Sequence, residues 1–153
     1  MRATVCIWLK YAMINFNAIS RRSTPIMKRR EAREKALQTL FQLENTEVTV
    51  EEAVAHIIES DKRNEFFERL VYETTEHQQE IDEKITASLQ NWSFERLPKV
   101  EKTVLRLAVF ELLYMEETPK NVVVNEAIEL CKTFSDEKAA KFVNGVLSNM
   151  VQA

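Results

Sequence analysis

The stretch KVEKTVLRLAVFELLYM, Lys99 to Met115, decides how the rest of the chain must be arranged. Apolar side chains stand at Val100, Val104, Leu105, Leu107, Ala108, Val109, Phe110, Leu112, Leu113 and Met115. In a helix they occupy nearly the whole circumference, so other helices must cover most of it. A membrane span is excluded. Glu101, Lys102, Arg106 and Glu111 interrupt the run, which also falls short of the ~20 apolar residues a bilayer requires. A lone charge on the covered part would be costly, so Arg106 and Glu111 read as members of ion pairs rather than as catalytic groups.

The surrounding sequence can supply the covering helices. One glycine and three prolines among 153 residues leave few helix breakers, and no window holds the period-two alternation of a strand. Val122-Val123-Val124 comes nearest to a strand and is too short to be one. The expected fold class is all-α. Toward the N-terminus, Lys28 to Leu43 places Ala32, Ala36, Leu37, Leu40 and Leu43 on one stripe, with Phe41 at its edge. Thr49 to Glu52 reads as a capping box opening a short helix through Val54, Ile57 and Ile58. Phe66 to Val71 and Ile81 to Leu89 mark two more helices, with a boundary near 74–77. Pro98 holds Leu97 extended ahead of the central helix. Beyond it, Pro119 marks a break, and Asn121 or a neighbour is expected to cap a helix carrying Ala127, Ile128 and Cys131. Ser135 is expected to start the last helix, through Phe142, Val143, Val146, Leu147 and Met150. Gly145 lies inside that helix at a cost of ~1 kcal/mol relative to Ala, and close approach of another helix would account for it.

Residues 1–26 differ from the rest. They hold Arg2, Lys10, Arg21 and Arg22 and no acid, and their apolar run is too short for a membrane span and lacks a small-residue cleavage site. Met27 reads as a natural start, so the expected division is an extension over 1–26 and a folded domain over 27–153. Without those four cations the net charge of −3 becomes −7 for the domain. So acidic a body cannot hold nucleic acid by diffuse attraction and needs a local basic cluster.

That cluster is Lys28, Arg29, Arg30, Arg33 and Lys35, at the start of the first domain helix. Cations there oppose the helix macrodipole by ~0.3–1 kcal/mol each. They fit a phosphate-bearing partner, although an ordinary charged helix start, partly neutralised by Glu31 and Glu34, is the plain alternative. Phe41 offers either a core ring or a platform for an unstacked base, and core is the commoner use. Catalysis finds no support: one glycine cannot build a phosphate loop, and His56 and His77 have no nucleophile at a suggestive spacing. Cys6 and Cys131 form neither a metal-ligand pattern nor a disulfide framework, so no metal or cofactor is expected, and a reducing cytoplasm is the default.

Four blocks, RREAREKALQTLF (29–41), VEKTVLRLAVFEL (100–112), VNEAIEL (124–130) and KFVNGVL (141–147), resemble, in order and spacing, the NusB family of transcription antitermination factors. The resemblance covers residues 28–153. It implies about seven helices in two small bundles and no enzymatic activity. It also implies binding to the boxA element of ribosomal RNA transcripts jointly with NusE, a ribosomal protein, and loading onto the RNA polymerase elongation complex with other Nus factors. Carried over by position, Lys28, Arg29, Arg30, Arg33, Phe41 and Lys141 would meet RNA. Glu126, Lys138 and Phe142 would meet the protein partner. Glu31 interrupts the basic run and implies dependence on that partner. Some relatives pair through the RNA-facing surface, so a homodimer is a further state the resemblance allows. An RNA cytosine methyltransferase with a NusB-like N-terminal domain is one alternative, although no catalytic domain follows before Ala153. A helical module that binds protein alone is the other.

Overall fold

The computed structural model describes residues 27–44 and 47–152. The extension expected over 1–26 lies outside the described residues. Among them the architecture is all-α, with seven helices. They are α1 (Arg29–Leu43), α2 (Val50–Ile57), α3 (residues 65–76), α4 (Gln78–Ser88), α5 (Lys99–Tyr114), α6 (Lys120–Phe134) and α7 (Glu137–Gln152). Single 3-10 turns at Ser60–Lys62 and Phe94–Arg96 join neighbours.

Helices α1 to α3 form one small bundle and α4 to α7 a second, and α5 packs against both. The central helix is covered as its sequence requires: Thr103 through Glu111 are all buried. One continuous core runs from Ala36 and Leu37 through Phe67, Leu70, Ile81 and Ile85 to Phe110, Val143 and Leu147. Arg106 donates to Asp82 at 2.7 and 2.9 Å and also pairs with Glu44, so its charge on the covered face of α5 is partnered.

Local sequence explains most of the boundaries. The Thr49 hydroxyl accepts from the Glu52 amide at 3.2 Å, while the Glu52 carboxylate accepts from the Thr49 amide at 2.8 Å, completing the capping box. Asn64 caps α3 by accepting from the Phe67 amide at 2.8 Å. Leu97 is extended ahead of Pro98, which holds the N-cap position of α5.

Four details depart from expectation. Helix α6 starts at Lys120 with Pro119 at its N-cap, so Asn121 is inside the helix rather than capping it. Asp136, not Ser135, caps α7, accepting from the Ala139 amide at 2.7 Å. Ser135 terminates α6 and donates to Glu101 at 2.9 Å. Gly145 faces open space: a Cβ built there meets nothing within 4 Å, so no neighbouring helix requires it. Finally, Arg69–Glu73 is wound as a π-helix within α3, which apolar spacing does not announce.

Candidate nucleic-acid interface

Helix α1 begins without a side-chain cap. Lys28 holds the N-cap position in extended conformation, and Lys28, Arg29 and Arg30 are all exposed. The uncapped amides and three adjacent cations give this end of the molecule a concentrated positive charge. Helical geometry then sends the arginines different ways. Arg29 and Arg33, one turn apart, lie over the same Phe66 ring, with guanidinium carbons 4.7 and 5.1 Å from its centroid. Arg29 also donates to Thr118 at 3.4 Å.

Arg33 continues inward. It is 3% exposed, and its Nε and Nη2 donate to the two Glu111 oxygens, each at 2.8 Å. This resolves the role of Glu111 as an ion-pair member and corrects the expectation for Arg33. A guanidinium so enclosed and already doubly bonded does not face a phosphate. Phe41 is corrected on similar grounds, since at 5% exposure it has no open face for a base. Lys35 is likewise buried and pairs with Glu31 at 3.1 Å.

Arg30 is the outward member. Its side chain is 63% exposed, and it donates through Nη2 and Nε to Glu126 of α6 at 2.7 and 3.2 Å. The Arg30 hydrogen bond holds the Glu126 carboxyl below the usual carboxylate range, against the opposing effect of burial. Glu126 also lies 3.9 Å from Arg33, so one carboxylate bridges the exposed and the buried arginine. Glu126, expected at a protein interface, thus belongs to the arginine cluster itself. Burial raises the carboxyl of neighbouring Glu34 above its ordinary range.

The remaining candidates fall elsewhere. Lys138, Lys141 and Phe142 are on α7, the two lysines exposed and Phe142 half-buried. Phe142 meets Trp92 edge to face at 5.7 Å between ring centroids. Sequence reasoning missed Phe66 and Trp92. Helical spacing assigns Phe66 to the core, and nothing in a coil segment shows which ring Trp92 will touch. Among the described residues no helix is long and apolar enough to cross a membrane, and no cluster of His, Cys, Asp and Glu could hold a metal ion.

The fold class is thus an all-helical double bundle that carries an arginine-rich tip on an acidic body. The NusB family matches residues 30–152, and this chain belongs to that family. It is 63% identical over 126 residues to the transcription antitermination protein NusB of Lysinibacillus sphaericus (strain C3-41), covering 82% of this chain and 98% of that protein. Among solved structures, T. maritima NusB is 33% identical with a TM-score of 0.76, covering 83% of this chain and 92% of that one. A crystal structure of the antitermination factors NusB and NusE in complex with dsRNA is 33% identical with a TM-score of 0.72, covering 81% of this chain and 96% of its counterpart.

Proposed function

We infer that this chain is a transcription antitermination factor that binds the boxA element of ribosomal RNA transcripts together with NusE. The pair then joins the RNA polymerase elongation complex and suppresses premature termination. One observation carries the assignment of the RNA surface: Lys28, Arg29 and Arg30 are exposed side by side at the uncapped start of α1, on a domain whose net charge is otherwise negative. Such a tip attracts a phosphate backbone without holding nucleic acid over the whole surface. Arg33 serves this tip indirectly. Its buried pair with Glu111 fixes the angle at which α1 presents Arg29 and Arg30.

The division of labour follows. Exposed cations hold the backbone, unstacked bases give sequence selectivity, and NusE completes the surface. The activity is binding, not catalysis, and its setting is the cytoplasm, where transcripts are made. The test is a gel-shift with boxA RNA and a scrambled control, with and without NusE. Selective retention of boxA by the pair is expected, and equal retention of the scrambled RNA rejects the reading. Charge reversal at Arg29 and Arg30 should weaken binding and flatten its salt dependence while leaving helicity unchanged.

A further inference from the structure

The apolar circumference of α5 demands cover, and of its apolar residues Leu113 alone is exposed, at 39%. Leu113 lines a groove of about 390 Å³ together with Val109, Leu112, Met150 and Val151. Val151, near the end of α7, is itself 36% exposed. Lys84 of α4 and Lys120, the first residue of α6, line the same groove. A second depression of about 220 Å³ adjoins it, since Lys120 and Val151 line both, and it continues to Val124 and Asn125 of α6. No Asp or Glu stands among the described residues that line either one, although the chain holds 24 acids. Lys84 and Lys120 are exposed, and neither has an ion-pair partner among the described residues. A floor of Leu, Val and Met flanked by two unpaired ammonium groups complements a segment that brings apolar surface and negative charge together.

We propose that this groove is the docking site for an acidic amphipathic helix of a protein partner. Its apolar side chains would lie on Leu113, Met150 and Val151, and its carboxylates beside Lys84 and Lys120. The surroundings select this occupant. The described residues form helices and turns, so no strand edge is offered to an extended peptide, and side-chain burial in a groove is the mode that remains. No aromatic ring lines either depression, which leaves nothing for a proline-rich segment to dock on and no platform for an unstacked base. A second copy of the chain, seated by two-fold symmetry, would bring four lysines together with no acid between them. Residues 1–26, with four cations and no acid, are excluded on the same ground. Lys120 also opens a helix that has no side-chain cap, so a carboxylate beside it meets the positive end of the α6 dipole.

Neither depression is lined by a residue of the arginine tip, so the inference goes beyond the RNA-binding reading and does not depend on it. Its test uses the full chain and a fluorescein-labelled peptide of about twelve residues, some three helical turns, read by fluorescence anisotropy. The peptide carries leucines on one face and glutamates at both ends. Binding is expected, and it should be about tenfold weaker when lysines replace the glutamates. In the variant combining Lys84→Glu and Lys120→Glu the preference should reverse, a result that misfolding cannot produce. Leu113→Ser, at an exposed position, should lose the glutamate peptide while helicity and boxA retention stay unchanged. Equal binding of the two peptides, or undiminished binding by Leu113→Ser, overturns the docking site. A photo-crosslinking residue in place of Leu113, in the chain assembled with NusE, boxA RNA and the elongation complex, then seeks the partner. Adducts on an acidic helical segment of a protein in that complex support the proposal. Adducts on RNA alone, on a second copy alone, or none at all overturn it. Failure of the unmodified chain and NusE to retain boxA rejects the functional reading and leaves the peptide result standing.

Discussion

Arg33 of the first helix and Glu111 of the central helix form a buried pair with two parallel hydrogen bonds of 2.8 Å. Both ions are removed from water, so each is stable only through the other. Replacing Arg33 alone with Met, or Glu111 alone with Leu, should therefore lower stability by about 3–5 kcal/mol. The double variant should recover most of that loss, because no unpaired charge is left in the core. Urea unfolding of the four proteins measures the coupling. Strict additivity of the two single losses would mean that the pair is not the source of the penalty.

The same pair marks how much the sequence could reveal. Apolar spacing locates α1, α5 and α7, and the capping box locates α2, because those signals are local. Glu111 is identified as an ion-pair member from the covered circumference of α5 alone, but its partner lies 78 residues away and no spacing rule names it. Arg29, Arg30 and Arg33 look equivalent as a basic run. Only the packing of α1 against α5 and α6 separates the exposed pair from the buried one.

The Arg30–Glu126 pair on the surface predicts a different behaviour. Glu126 occupies the arginine that a phosphate would otherwise meet, so Glu126→Gln should tighten boxA binding by a few-fold at low salt and steepen its salt dependence. Arg30→Ala should do the opposite. The depressed Glu126 carboxyl also gives a direction in pH: its contribution to folding is in place above about 4.5 and is lost as pH falls through its lower folded value. Because Arg30 is mostly exposed, screening keeps that contribution small. Binding isotherms across salt check the first statement and urea unfolding across pH the second, and an unchanged salt slope in the Gln variant would contradict the first.

Cys131 should be chemically silent in the native protein. It is buried on α6, and burial pushes its thiol up to about 12, with Glu101 and Asp136 adding to the shift. The reactive thiolate is accordingly scarce at neutral pH. Iodoacetamide at pH 8 should leave Cys131 unmodified for hours in buffer and alkylate it within minutes in denaturant, as read by peptide mass mapping. Rapid native labelling would show that α6 opens locally far more often than its burial implies.

Gly145 offers the cleanest separation of stability from function. It is exposed in the middle of α7, and an added Cβ would touch nothing within 4 Å. Alanine there should raise stability by about 1 kcal/mol, through helix propensity and a less flexible unfolded chain. Thermal melting of Gly145→Ala measures this directly. The neighbouring Phe142 is among the residues expected to meet the protein partner, so the same variant probes that face. If the gain in stability comes with weaker NusE binding, the glycine is kept for a backbone that approaches only in the complex. If NusE binding is unchanged, the free space seen here persists in the assembly, and Gly145 contributes nothing to the interface that alanine could not.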